Sequence, residues 1–532
     1  MSAVRGFEVP NSQASGSSIE VPRSFQPDND TVLISSDSKY LEFPASATTF
    51  APSGTSQIII PQANARYILG GSMYLNFNVL ISASATIAAE IAAGSGRSGL
   101  MTYFTGGPTK SAAALIDRIT ITAANGQVLS DITNYAQYHN LILLHAANDN
   151  YIKTASISES AFTQTTTSSA TNATAAVGTA TTISQTNLPV TVNLPLALGL
   201  FNEVKAFPLW AVNGPLIVLI QWASSARSLG AGLSLSRNLI VSSGGFNTDN
   251  GFAYQPSPAM TNVTSSWTGR ELSIRARCVD VDIDYINQQK AQMAMGKVLT
   301  FNYKQVQNLI TPSGAASINF GVNCSSLLSV FGCNLMNDAA DPVSSSSITP
   351  SVASVGSWGF NSNGMQNIRV YRDGQPLSTF PLLKGGNDDA FIPLMEAMGQ
   401  LFSTSGGSMS RRLTHNGEMD NAVAEGNYSS SYYQHSLANH FSFTKNLNFD
   451  QAPIWVYKPA YLSGSVYTPN TYAWGLSARS CNDTEVANKG SRCSQLQLTV
   501  DSGSSTAGIH YIYYLYSCSV SFDATGNVIV RR

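Results

Sequence analysis

Met73-Tyr74-Leu75-Asn76-Phe77-Asn78-Val79-Leu80-Ile81 alternates with a period of two, which puts Leu75, Phe77, Val79 and Ile81 on one face of an extended chain. That period predicts a half-buried sheet strand. Gln495–Val500 repeats the pattern with Leu496, Leu498 and Val500, and Ile509–Phe522 reads as a long aromatic-rich strand or strand pair. In Glu271–Tyr285 the residues Leu272, Ile274, Ala276 and Cys278 share one phase, whereas Val279, Val281, Ile283 and Tyr285 take the other. Such a slip marks either a β-bulge or a strand that changes neighbours at Cys278/Val279.

Helical signals are few. Ser130-Asp131 can cap a helix through Ile132, Tyr135, His139 and Ile142, and Asn287 can cap Gln288–Met295, with Gly296 as the stop. Asp388-Asp389 precede a stripe of Phe391, Leu394, Met395, Met398, Leu401 and Phe402 that predicts a helix packed on a sheet. Tracts rich in Ser, Thr, Ala, Gly and Asn, about Thr154–Asn187, Ala223–Thr264, Asp338–Asn363 and Ser403–Ser431, read as elaborated loops. Strands throughout both halves of the chain, with such loops between them, predict two β-sandwiches in tandem. The 532 residues also exceed what one hydrophobic core supports.

Charge narrows the function. Lys+Arg number 29 against 31 Asp+Glu, so charged residues are 11% of the chain where about 25% is usual. A net charge of −2 gives no footprint for wrapping nucleic acid, and 22 Phe, 22 Tyr and 6 Trp argue against disorder. Residues 1–40 carry Arg5, Arg23 and Lys39 against five carboxylates, so an N-terminal arm there would not condense phosphates and reads instead as a clip onto a neighbouring surface or onto the scaffold beneath. The longest apolar run, Leu216–Ile220, falls far short of a membrane span, and the first residues lack an apolar signal core. Cys278, Cys324, Cys333, Cys481, Cys493 and Cys518 are too sparse for a disulfide scaffold and form no Cys-x-x-Cys pair, so buried free thiols are expected.

No motif for catalysis emerges. Gly106-Gly107-Pro108-Thr109-Lys110-Ser111 ends like a phosphate-binding loop, but Thr109 stands where the glycine before the lysine must be. His435 and His440 are five apart, a spacing poor for sharing a metal on a helix. Asp388-Asp389 suit a helix N-terminus, and Asp280, Asp282 and Asp284 share a face of a strand, which reads as solvated or as an interface. Neither set forms an acid/base pair in unlike environments. The Asn-x-Ser/Thr sites at Asn172, Asn262, Asn427 and Asn482 are chance occurrences in so Ser/Thr-rich a chain. No catalytic residue, cofactor or metal is expected.

Several segments, in order, resemble the double jelly-roll major capsid proteins of double-stranded DNA viruses, the lineage of adenoviruses, nucleocytoplasmic large DNA viruses, virophages and Polinton-like viruses. Ala114–Ile121, then Asn125-Gly126-Gln127-Val128-Leu129, then Tyr135–Leu144 is similar to the strand, Gly-Gln turn and short helix of the first roll. Phe207-Pro208-Leu209-Trp210 before Asn213–Ile217 and Leu219–Trp222 resembles a Leu-Pro-aromatic segment leading into a buried strand. Val279–Tyr285, Asn287–Met295 and Val298–Val306 look like the last strand of one roll, a linking helix and the first strand of the next. Ile368–Arg372 with Asp373-Gly374-Gln375 resembles the second roll's Gly-Gln turn, and Arg479–Asn482, Gln495–Val500 and Tyr511–Phe522 the closing strands.

The resemblance implies an all-β fold of two tandem eight-stranded jelly-roll β-sandwiches with a few short helices in loops. It divides the chain into an N-terminal arm (1–55), a first roll (56–286), a linking helix (287–297) and a second roll (298–532). It implies a structural protein, not an enzyme, whose homotrimers have a hexagonal outline and tile an icosahedral virion shell assembled inside the host cell. Partners would be further copies of the chain and penton and minor capsid proteins, without sequence-specific nucleic acid binding and with an internal membrane left open. A surface β-sandwich adhesin or fibre protein and a carbohydrate-active β enzyme are the alternatives.

Overall fold

Period-two alternation is realised as strand in residues 75–81, 496–500 and 509–522, but the phase Val279, Val281, Ile283, Tyr285 is only half strand, because Ile283 and Tyr285 belong to the helix Ile283–Ala294. The computed structural model describes residues 18–19, 35–87, 98–104, 111–146, 158–160, 165–166, 181–235, 260–312, 317–336, 365–382, 388–399, 473–479, 490–502 and 508–532. In the first half the principal strands are β1 (Ser35–Pro44), β2 (Thr55–Ile60), β3 (Tyr74–Ile87), β4 (Ile116–Thr122), β5 (Val128–Thr133), β6 (Thr181–Pro195), β7 (Leu216–Trp222) and β8 (Met260–Val281). One sheet runs β1-β8-β3-β6 and the other β2-β7-β4-β5, all pairs antiparallel. First, eighth, third and sixth strands in one sheet, with second, seventh, fourth and fifth in the other, is the order of two interlocked Greek keys: a jelly roll.

The second half repeats that order with one economy. Its strands are β9 (Val298–Pro312), β10 (Ser317–Met336), β11 (Met365–Arg372), β12 (Gln375–Pro376), β13 (Ala473–Ser477), β14 (Ser491–Ser502), β15 (Gly508–Phe522) and β16 (Val528–Arg531). The later half of β10 lies between β15 and β13, giving β9-β15-β10-β13; its earlier half pairs with β14, giving β10-β14-β11-β12. Strands two and three of this roll are thus one continuous strand that serves both sheets. A straight strand of that length would span about 60 Å. Yet the five residues 503–507, reaching ~20 Å at most, join β14, which leaves beside Ser317, to β15, which enters beside Met336. β10 must therefore fold back sharply, and its register breaks twice, on either side of Cys324. The molecule is a double jelly roll.

Inward-facing residues join the two sheets of each roll. Leu75, Phe77, Val79 and Ile81 of β3 are all buried. Phe77 meets Trp222 of β7 edge-on at 5.7 Å, and Phe50 stacks on Trp222 at 4.2 Å. Trp222 donates to Ser56 Oγ (2.8 Å) and Trp267 to Ser228 Oγ (2.9 Å), so neither buried indole N–H is orphaned. In the second roll Leu496, Leu498 and Val500 are buried, as their alternation requires. The phase slip at Cys278/Val279 is a change of neighbour: β8 pairs with β3 up to Arg275 and with the short strand Arg66–Leu69 from Cys278.

The helices depart from expectation at their starts. Ser130 and Asp131 lie inside β5, where Asp131 accepts from Arg118 Nε and Nη2 (both 2.7 Å) and from Thr120. Helix α1 (Tyr135–His145) instead begins after Asn134, which is in the left-handed region at φ 51°. The linking helix α2 (Ile283–Ala294) is capped by Asp282, whose carboxylate accepts from the Asp284 amide, and not by Asn287; Gly296 at φ 89° ends it as expected. The three aspartates are consequently divided: Asp280 ends the strand paired with Arg66, and Asp282 and Asp284 belong to the helix start. Helix α3 (Asp388–Ala397) follows the predicted stripe as far as the described residues extend. β1 lies inside the stretch expected to be an arm, and Ser18–Ile19 pair in parallel with Val298–Leu299 at the edge of the second roll.

His510, fully buried on β15, accepts a hydrogen bond from Trp474 Nε1 at 2.8 Å through Nε2. Burial holds its pKa down to about 3. Between that value and about 6.5, its unfolded value, the unfolded chain binds a proton that the folded chain refuses. His510 therefore contributes stability that is present above pH ~6.5 and lost at roughly 1.4 kcal/mol per unit as pH falls. His510→Gln, which keeps an acceptor for Trp474, is expected to flatten the decline in thermal midpoint between pH 6.5 and 4.5. An unchanged slope would show that other groups set it.

Candidate functional site

The residues singled out in the sequence lie on turns, and the topology gives those turns a common meaning. Asn125-Gly126-Gln127 joins β4 to β5, and Asp373-Gly374-Gln375 joins β11 to β12: the fourth-to-fifth-strand turn of each roll. Gly126 (φ 81°), Asp373 (φ 46°) and Gly374 (φ 80°) adopt left-handed backbone there. Asn125 Oδ1 accepts from the Gln127 amide at 3.2 Å, closing the first turn. The Asp373 carboxylate accepts from the amides of Ser494 (3.0 Å) and Gln495 (2.8 Å), tying the second turn to β14.

The two turns differ in what they touch next. Asn125 Nδ2 donates to Val528 O (3.0 Å), and the Asn213 amide donates to Gly526 O (2.9 Å), so the C-terminal hairpin of the second roll rests on the first. Nearby, Tyr303 OH of β9 donates to Leu129 O of β5 (3.0 Å), Tyr513 OH to Asn134 O (2.9 Å), and Asn134 Nδ2 to Asn308 Oδ1 (2.7 Å). Phe207 joins this joint through Phe522 at 5.7 Å, while Pro208 pairs with Tyr67 and Trp210 packs edge-on to Tyr67 at 6.3 Å inside the first roll. Gly199 lies so close to Lys304 that any β-carbon would overlap the Lys304 carbonyl, and Glu203 accepts from the Lys304 amide and ammonium. The first roll thus presents its fifth-strand edge, and the second roll receives it on its first and eighth strands. Asn125 and Phe207 are at that joint, whereas Asp373, Gly374 and Gln375 are exposed.

A second polar cluster gave no sequence signal because its members are far apart in the chain. Glu159 accepts from Ser111 Oγ and pairs with His139 Nε2 at 2.6 Å. All three are buried, and the hydroxyl goes to the carboxylate and not to the imidazole, so the arrangement lacks the nucleophile-to-base contact of a hydrolase. Ser111 also caps the short helix Ala112–Leu115. The cluster pins the connection between β5 and β6 to the body of the roll. Among the described residues no group of three or more His, Cys, Asp or Glu is placed to hold a metal, and no helix is long and apolar enough to cross a membrane. Gly106–Lys110 and His435/His440 lie outside the described residues.

The longest connections share one end, although the short connections 45–54 and 503–507 also leave there. Successive strands of a jelly roll run in opposite directions, so connections one-to-two, three-to-four, five-to-six and seven-to-eight all leave from the same end. Residues 88–115, 134–180 and 223–259 of the first roll and 337–364 and 377–472 of the second are of this kind. The opposite end holds the tight turns at Gly126 and Gly374.

No family model matches the chain, and no curated protein does. Among solved structures it is similar to the Faustovirus major capsid protein (9% identity, 93% of this chain and 92% of that one, TM-score 0.49). It is also similar to a chain of the Sputnik virophage structure (13%, 98% and 94%, TM-score 0.46) and to the mavirus major capsid protein (12%, 97% and 96%, TM-score 0.45).

Proposed function

We propose that the chain is a major capsid protein whose homotrimers tile an icosahedral shell, a structural role without catalysis. One observation carries the reading: the joint between the rolls is head-to-tail, and it leaves one of each complementary edge unused. Within the chain the fifth-strand edge of roll one meets the first-strand edge of roll two. The equivalent edges, β12 of roll two and β1 of roll one, have no further strand partner among the described residues. Open sheet edges invite pairing, and a heterologous contact repeated by rotation closes a ring. Three copies would place six rolls in that ring, which has the hexagonal outline implied by the resemblance.

The unused edges carry apolar side chains suited to contact. Phe380 (53% exposed) follows β12 and Tyr40 (65%) lies on β1, while Ile392 (61%) lies on α3, which packs on β13, the edge strand of the other sheet. The low charge of the chain fits surfaces that meet copies of themselves, where like charges would be brought together at every contact. Neighbouring trimers, penton and minor capsid proteins are the partners this reading assigns, and the virion, assembled in the host cell, is the location. The chain divides accordingly into an arm before residue 35, a roll over 35–281, a linking helix and a roll from 298. Light scattering on the eluted protein tests the reading: a stable species near three times 56.5 kDa is expected, and a monodisperse monomer would overturn it.

A further inference from the structure

Five of the cysteines are described, and all are buried free thiols. Two of them are not scattered. Cys324 on β10 and Cys493 on β14 are direct cross-strand partners, framed by register breaks at Gly321/Cys324 and Cys324/Leu327. Residues directly opposite on antiparallel strands have Cα atoms about 4.5–5.5 Å apart, inside the 4.4–6.8 Å range of disulfides. Both side chains are buried while their chain neighbours Asn323, Ser325, Arg492 and Ser494 are exposed, so the pair lies one layer beneath solvent. Asn323 is in the left-handed region at φ 46°, which marks the fold-back of β10.

We propose that Cys324 and Cys493 form a redox-closable pair, joined by a small-molecule disulfide such as oxidised glutathione once the protein leaves a reducing compartment. The Cys324 thiolate attacks one glutathione sulfur, forming a mixed disulfide and releasing one glutathione thiolate. Cys493 then loses its proton and attacks the Cys324 sulfur, forming the protein disulfide and releasing the second glutathione. Two protein thiols are oxidised, one glutathione disulfide is reduced to two thiols, and the two protons go to the departing thiolates. The order of attack follows the environment: the Cys493 S–H holds Cys324 below the ordinary thiol range, whereas Cys324 and burial push Cys493 up. Cys278 and Cys518 are held up to about 11 and about 12 by burial, and Cys333 also lies above the ordinary range, so none competes as a thiolate.

The bond would tie strand two to strand seven of the second roll at the fold-back and enclose in one covalent loop the connections 337–364 and 377–472. It rests on strand register and not on the capsid reading. The test treats native, full-length protein with oxidised glutathione, alkylates the remaining thiols and digests it without reductant. A single peptide pair linking Cys324 to Cys493 is expected. The thermal midpoint should rise by roughly 5–10 °C and return on adding dithiothreitol. Cys324→Ala and Cys493→Ala, small truncations, should each abolish the link and the rise. Recovery of both cysteines alkylated, retention of glutathione on either, or a link to another cysteine would overturn the proposal.

Discussion

Replacing Phe380 and Ile392 together by aspartate is expected to yield a folded chain that no longer forms trimers. The two side chains are exposed in the subunit, so the substitution removes nothing from either core. If the ring closes as proposed, each contact loses two buried apolar groups worth roughly 1.5–3 kcal/mol apiece. It also gains two carboxylates in a desolvated seam. That corresponds to at least a hundredfold weaker association at each contact. Circular dichroism and thermal melting should match the parent at subunit level, while light scattering reports the monomer. A trimer that persists at unchanged dilution would place the interface elsewhere and sink the head-to-tail ring. Unfolding of the double variant would instead mean that these side chains serve the roll itself, and Tyr40→Asp on the complementary edge would then decide the matter.

Gly199→Ala is the second large effect, and it acts within one subunit. Gly199 starts the short helix Gly199–Glu203 and faces the backbone of β9 across the joint between the rolls. A β-carbon would overlap the Lys304 carbonyl oxygen and stand 2.9 Å from its carbon, and backbone has no alternative rotamer with which to retreat. The rolls must part or the helix must shift, either of which strains the Glu203–Lys304 and Asn134–Asn308 contacts. A cost of about 3 kcal/mol or more is expected, or a thermal midpoint lower by roughly 6–12 °C. Gly321→Ala, where nothing lies within 4 Å of the added carbon, serves as the control and should leave the midpoint nearly unchanged. Equal behaviour of the two variants would mean that the joint is loose and does not set stability.

How far the fold could be read from sequence follows from the range of each signal. Leu75, Phe77, Val79 and Ile81 were legible because a strand half-buried in a sandwich writes its burial at period two, and neighbours in sequence suffice to reveal it. Ser130 and Asp131 misled because their oxygens serve a helix cap and a strand ion pair equally well; only the position of Arg118 across the sheet decides between them. The Gly-Gln turns were visible because φ > 0 demands Gly, Asn or Asp locally. Their consequences were not, since Asn125 reaches Val528, a contact across 403 residues. The unused edges and the Ser111–His139–Glu159 anchor were invisible for the same reason: each exists only once the strand order is known. In Glu271–Tyr285 the slip at Cys278/Val279 is a change of strand partner, but the second phase misleads beyond Val281, because Ile283 and Tyr285 are spaced for a strand and yet begin a helix.

The separation of long connections from tight turns divides labour between the two ends of the molecule. A stretch such as 337–364 starts and finishes at the end away from the turns at Gly126 and Gly374. Length added there need not disturb the end that carries those turns, because loop closure grows costlier only slowly with loop size. The architecture therefore offers a chassis whose ornament can change at constant footprint. If the chain tiles a shell as proposed, peptides inserted into 337–364 should leave the spacing of that shell unchanged, which electron microscopy of assembled particles would measure.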